Sequence, residues 1–332
     1  MEHAMKHAMK RRRALGLLAG GLLGGCSTMQ GSARPGEDQA YLFSYFLGNG
    51  ADGLHFAASR DGYQWDALRG GASFLTPTVG KTRLMRDPCI ARGPDGMFHM
   101  VWTSGWNDTG IGYASSPDLV QWSTQRDLPV MAHEPQALNA WAPELIHDAA
   151  RGHFLILWAS TIPGRFPQTE AEGDAAGDKK YNHRIYATTT KDFASFTPTT
   201  LFYEPGFSVI DATFVQALGR DWLVVKDETR YPPKKYLQVA AADSLQGPFS
   251  PLGAPITPPG LWAEGPSGLQ VGDEVILYFD AYTAGHYGAL RSRDMRQWED
   301  VSARMRFPPK MRHGTAFAAP ANLVERLRVL AP

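Results

Sequence analysis

A segment of about ten residues recurs five times along this chain, and a recurring unit constrains the fold more than any composition does. Each copy runs from small residues through a turn to an aromatic. The copies are Phe56–Trp65, Tyr113–Trp122, Tyr186–Phe196 (one residue longer), Ala240–Phe249 and Ala289–Trp298. Their closing aromatics, Trp65, Trp122, Phe196, Phe249 and Trp298, stand 57, 74, 53 and 49 residues apart. The long interval contains a polar insertion, residues 163–180, rich in Gly, Asp and Glu, which reads as a rim loop.

Every copy follows a run of β-branched and aromatic residues: Tyr41–Phe46, Phe98–Trp102, Phe154–Trp158, Trp222–Val225 and Val275–Phe279. Such runs bounded by Gly, Asp and Pro are strands. A third element precedes four of the runs, at Arg86–Ala91, Trp141–Ile146, Ile210–Val215 and Ala263–Leu269. Its fifth copy, Arg312–Phe317, stands near the C-terminus with no strand run after it, while the chain's first run has no such element before it. Ends that complement each other in this way predict a closed ring. The expected fold is all-β, a five-bladed β-propeller closed by N- and C-terminal strands in one blade, rather than a sandwich. No stretch after the leader has a 3.6-residue period, so few helices are expected.

The leader is separate from this pattern. Lys10-Arg11-Arg12-Arg13 precedes the apolar run Ala14–Leu23, and Leu23-Gly24-Gly25-Cys26 follows. A basic start, a short apolar run and small residues before a cut site mark an export signal. Residues 1–26 are therefore expected to be a signal peptide ending in a lipobox, with Cys26 lipidated, residues 27–38 a linker and residues 39–332 the propeller. That predicts a lipoprotein anchored in a bacterial membrane, facing the periplasm or the exterior. Cys89 is the only other cysteine, which excludes an intramolecular disulfide once Cys26 carries lipid, and its apolar neighbours mark it as buried filler. The 33 basic and 33 acidic residues give a formal net charge of +0, with no basic cluster beyond the leader, which argues against a nucleic-acid partner. A neutral glycan suits this balance, and a monomer is expected.

The third element carries the chemistry. In four of its five copies a titratable residue stands near the same point: Asp87, Asp211, Glu264 and His313, with Trp141-Ala142-Pro143 in the remaining one. Inner strands of a propeller bring such residues to one mouth of the axis. Three carboxylates there repel unless they have separate jobs or bind a cation, and like-charge neighbours raise at least one pKa, as a general acid requires.

The ordered set Arg86-Asp87-Pro88, Trp141-Ala142-Pro143, Ile210-Asp211, Glu264-Gly265-Pro266 and His313-Gly314 resembles glycoside hydrolase family 43, a family of five-bladed, inverting enzymes. The resemblance covers Tyr41 to Phe317 and has departures: a strand pair precedes Asp87, and Ala212 stands where a proline often follows the Asp. It implies Asp87 as general base, Glu264 as general acid and Asp211 as the residue that orients the acid and tunes its pKa. It also implies His313 near the axis, beside a bound calcium or water; no cofactor is required for the reaction. Inversion needs one carboxylate to activate water and one carboxylic acid to protonate the leaving oxygen, on opposite faces of the sugar. Trp141 and Trp262 are candidate sugar-stacking platforms, with core packing as the alternative. Arg291 is a candidate partner for a sugar hydroxyl, with a solvated charge as the alternative. The implied activity is that of an exo-glycosidase on plant-type oligosaccharide or polysaccharide, α-L-arabinofuranosidase first, β-xylosidase or β-galactosidase next. A surface lipoprotein that binds glycans without cleaving them is the reading from another class.

Overall fold

In the computed structural model, residues 39–170 and 181–331 are described; the expected export leader with Cys26, the expected linker and residues 171–180 of the expected rim loop lie outside them. Nineteen strands form five antiparallel sheets. The chain opens with β1 (Gln39–Leu47), β2 (His55–Ser59) and β3 (Asp66–Ala67). Blade I is β4 (Arg86–Arg92), β5 (Phe98–Thr103), β6 (Ile111–Ser116) and β7 (Arg126–Leu128). Blade II is β8 (Trp141–Asp148), β9 (His153–Ser160), β10 (Arg184–Thr190) and β11 (Thr200–Tyr203). Blade III has β12 (Val209–Ala217), β13 (Arg220–Asp227) and β14 (Tyr236–Ala242), with an isolated bridge from Ala242 to Phe249 in place of a fourth strand. Blade IV is β15 (Glu264–Val271), β16 (Glu274–Ala281), β17 (His286–Ser292) and β18 (Glu299–Asp300). The last strand, β19 (Met311–Pro320), returns to pair with β1, giving blade V the order β19-β1-β2-β3. The ring closes as the sequence predicts, with β19 and β1 paired in one blade.

The three recurring sequence elements are the first, second and third strands of each blade. The second strands are almost continuously buried, which is why they read as unbroken apolar runs rather than alternating ones. The recurring turn has one mechanism in four copies. Asp61, Asp118, Asp192 and Asp294 each accept two backbone N–H groups from the residues two and three positions on. A Ser or Thr two residues earlier, such as Ser59, accepts a third. An Asx-type cap of this kind replaces backbone partners that a tight turn lacks. The repeat signal thus comes from turn chemistry together with the aromatic that packs between blades.

One helix, α1 (Ala321–Arg328), follows β19 and buries Leu323, Val324 and Leu327 in the cluster shared by blades V and I. At eight residues it is too short to show a period in sequence. Among the described residues no helix is long and apolar enough to cross a membrane.

Candidate active site

Each inner strand breaks step with its neighbour at the same point near the funnel. On β4, Arg86 pairs with Thr103 and Cys89 with Val101, so two residues face one. The same two-against-one step follows Trp141 on β8, Ile210 on β12, Glu264 on β15 and Arg312 on β19. These are β-bulges, which re-aim side chains at a rim. The first bulge residues, Asp87, Ala142, Asp211 and Gly265, have φ of 53°, 45°, 53° and 58°, the left-handed region that costs a residue with a Cβ about 1–2 kcal/mol. The left-handed conformation recurs in four blades and is strained in the three that carry a side chain there, which makes it a property of the funnel.

The bulges sort the candidate residues into rings. Asp87, Ala142, Asp211, Gly265 and His313 form one. Arg86, Trp141, Ile210, Glu264 and Arg312, each one residue earlier, form another nearer the mouth. Glu264 therefore does not occupy the position of Asp87 and Asp211, as its place in the sequence pattern suggests; it belongs with Arg86 and Arg312. Register causes this, since Gly265 takes the left-handed position. A side chain at 265 would also collide with His313, whose ring lies 2.3 Å from where a Cβ would stand.

The funnel encloses about 400 Å³ and is lined by Asp87, Asp211, Glu264, His313 and Trp141 among others. Asp87 takes His313 Nδ1 on Oδ1 at 3.2 Å and the Thr103 hydroxyl on Oδ2 at 2.7 Å. Burial pushes its carboxyl up, but the His313 charge and hydrogen bond, then Arg86 and Thr103, outweigh burial and hold it at about 2. Burial pushes the His313 imidazole down, and Asp87, Asp211 and Glu264 raise it to about 9. The two are an ion pair at neutral pH. Asp211 accepts the Gly265 N–H at 2.9 Å. Burial dominates there; His313 and Lys226 oppose it, Glu264 and Asp87 add to it, and the carboxyl rises to about 6.

Glu264 is clamped between cations. Its Oε1 meets Arg312 Nη2 at 2.9 Å and its Oε2 meets Lys226 Nζ at 3.3 Å. Lys226 also contacts Glu228 at 2.8 Å and lies 4.6 Å from the Tyr282 ring centroid, while Arg312 bonds Asp280 and Lys235 bonds Glu228. The result is an alternating row, Lys235–Glu228–Lys226–Glu264–Arg312–Asp280. Desolvated charges are tolerated when each has its counter-charge. Burial also raises the Asp280 carboxyl at the end of this row, against the opposing Arg312 charge, while Glu264 stands between two cations.

Several of these residues escaped the sequence reading. Lys226 and Asp280 sit on second strands directly opposite Ile210 and Glu264. A charge ending an otherwise apolar strand run, as in Val225-Lys226-Asp227-Glu228, was the available signal. Trp106, in the loop after β5, is 44% exposed, accepts the Trp141 indole N–H on its backbone oxygen at 3.0 Å and meets that ring edge to face. Trp141 also packs against Tyr181 and His183. Trp262 does not line the funnel; it meets Tyr282 at 6.1 Å and the Lys235 ammonium at 5.8 Å, and it lines a separate cleft of about 770 Å³ with Pro258, Pro259 and Trp298. Arg291 is not a funnel residue. It lies on β17, a third strand, where Glu274 holds it at 3.0 Å together with Glu299. Its place on an outer strand fits the alternative of a surface charge, although that charge is paired with carboxylates and not simply solvated.

After each bulge the inner strand resumes pairing, at Cys89, Glu144, Thr213, Ser267 and Thr315. Thr213 donates to Glu144 at 2.7 Å and the Cys89 thiol contacts it at 3.4 Å; burial raises its carboxyl to about 7. Calcium does not fit these residues. These positions offer one carboxyl, already taken by Thr213 and Cys89, and the His313 imidazolium has its Nδ1 committed to Asp87. Among the described residues no group of three or more His, Cys, Asp or Glu is arranged around a cation.

Comparison with known proteins agrees with this architecture. A family model described as "Probable glycosyl hydrolase domain", related to glycoside hydrolase family 43, matches residues 37–322. A curated Alpha-L-arabinofuranosidase of Bifidobacterium longum is 22% identical over 274 residues, covering 76% of this chain and 25% of the relative. The chain thus spans about a quarter of that relative's length. The crystal structure of an alpha-L-arabinofuranosidase from Lactobacillus brevis superposes with a TM-score of 0.52 at 19% identity, covering 66% of this chain and 72% of that one, a likeness of fold. By the extent of the family match, the chain belongs to the family 43-related glycosyl hydrolases.

Proposed function

We propose that this protein is an inverting, exo-acting glycoside hydrolase that releases α-L-arabinofuranosyl residues from plant-type glycan. The supporting observation is the contrast between two carboxyls in one funnel. Asp87 is a largely buried carboxylate held at about 2, so at neutral pH it is deprotonated and has an oxygen able to accept a proton from the attacking water. Glu264 stands on another blade with its oxygens on two cations. In the proposed reaction, water attacks the anomeric carbon as Asp87 removes its proton, and the glycosidic C–O bond breaks as Glu264 protonates the departing oxygen. Lys226 and Arg312 then face the carboxylate that Glu264 becomes. Asp211, ionising near 6, sets how readily Glu264 keeps its proton. Trp141 and Trp106 offer apolar faces to sugar C–H groups at the mouth.

The test is a panel of nitrophenyl pentosides and hexosides with proton NMR of the first-formed sugar. The arabinofuranoside should be cleaved fastest, with inversion. Glu264→Gln should slow poor leaving groups by about 10²–10⁴-fold and activated aryl glycosides far less. A retained anomer, or preference for a β-xyloside or β-galactoside, would replace the corresponding part of the reading. No turnover on any substrate would favour the glycan-binding alternative. The basic and apolar leader ending at Cys26 further supports lipid anchoring; Cys26→Ser should move the protein from the membrane to the soluble fraction.

A further inference from the structure

The funnel's charges nearly all cancel in pairs, and the exception carries information about the substrate. Lys226 is matched by Glu228 and Glu264, Arg312 by Glu264 and Asp280, and His313 by Asp87. Arg86 lines the same cavity, yet among the described residues no carboxylate lies at ion-pair distance from its guanidinium. Its residue is only 9% exposed. One polar contact is made, Nη1 to Asn49 Oδ1 at 3.0 Å. The Phe46 and Trp106 rings lie 4.7 and 4.3 Å from its Cζ. Ring contacts hold a guanidinium in place without using its N–H donors. Nε and Nη2 are therefore left without an acceptor among the described residues, beside the exposed Trp106 face.

A fixed, largely desolvated guanidinium with a free pair of donors matches a carboxylate, which it can grip through two parallel hydrogen bonds. A neutral hydroxyl would satisfy one donor and leave the other without an acceptor. We propose that Arg86, with Asn49 and Trp106, forms a subsite for a uronic acid unit, so that the glycan entering this funnel is anionic beside the bond to be cleaved. Deepening the hydrolase reading, this names the glycan class and rests on that reading only for the position of the bond. Trp106 would carry the sugar's apolar face while Arg86 takes its carboxylate.

The test is binding, so that it stands apart from turnover. D-glucuronate and D-galacturonate are titrated against the full-length protein beside D-glucose and D-galactose, at 20 and 500 mM NaCl. The uronates should bind at least about ten-fold tighter than their neutral counterparts, with the preference falling at high salt, as expected for a charge–charge contact. Arg86→Gln should reduce the preference to within about two-fold, and Arg86→Lys should keep part of it, because the charge remains while the fork is lost. Should Arg86→Gln fail to fold, the wild-type preference and its salt dependence still decide. Equal binding of neutral and acidic sugars, or a preference that survives Arg86→Gln, would overturn the subsite. Uronate binding through Arg86 without cleavage of any glycoside would retain the subsite and sink the hydrolase reading. Arabinoside cleavage without uronate preference would do the reverse.

Discussion

Asp87 and Asp211 occupy equivalent bulges of blades I and III and share a φ of 53°, yet their carboxyls move in opposite directions, to about 2 and about 6. Backbone geometry does not separate them, and both are largely withdrawn from solvent. The difference lies in what reaches them across the funnel. Asp87 has a cation in contact and a hydroxyl on its second oxygen. Asp211 has one backbone N–H and two acidic neighbours, with its cations further off. One structural device repeated around a ring thus serves two chemistries, and the partners from neighbouring blades choose between them.

The largest expected effect comes from removing the strand that brings His313 to Asp87. Deleting residues 312–332 takes away most of β19 and all of α1, so cooperative thermal unfolding should vanish; a melt within a few degrees of wild type would disprove closure. Next, Asp87→Asn should lower turnover by about 10³-fold or more on good and poor leaving groups alike, since water must be activated whichever group departs. Near-normal turnover would remove Asp87 from the base role.

The sharpest test is the pH dependence of stability. Asp87 is depressed, so its contribution is present above the unfolded carboxylate value and is lost as pH falls toward 2. His313 is raised, so its contribution is present below about 6.5 and is lost as pH rises through 9. Asp211 has the opposite sign to Asp87: its protonated form is favoured, and ionisation as pH rises through 6 costs stability. The Tm difference between Asp211→Asn and wild type should therefore move in the mutant's favour from pH 4 to pH 7, while that of Asp87→Asn should worsen from pH 2 to pH 4. The same Asp211→Asn change should bring the alkaline limb of the pH–rate profile down. Parallel stability slopes for the two variants would break the comparison.

The smallest effect belongs to the bulge that carries no acid. Ala142→Gly relieves a left-handed φ of 45° at some cost in chain entropy, so a net gain of about 0.5–1 kcal/mol is expected, or a Tm higher by about 1–2 °C. A loss of stability would mean that these bulges are not strained.

Much of the architecture is written locally. Buried second strands appear as apolar runs, Asx-capped turns as the Ser/Thr-x-Asp repeat, and ring closure as the mismatch between the chain's two ends. These are legible because each depends on residues within a few positions of one another. The bulge register is not legible, because it is defined by the partner strand; Glu264 and Asp87 consequently looked equivalent and are not. Lys226, Asp280 and Trp106 were invisible for a related reason, since their importance comes from neighbours distant in sequence.

The sequence by itself determined the five-bladed ring, its closure and the presence of Asp87, Asp211, Glu264 and His313 on inner strands, because period, turn chemistry and strand propensity act over short spans. Tertiary structure alone decided which carboxyl is an anion, which is raised, that Arg291 is paired on the outer blade and that Arg86 has no carboxylate at ion-pair distance among the described residues. Coulombic and desolvation energies depend on distances between blades, and those distances exist only once the ring has closed.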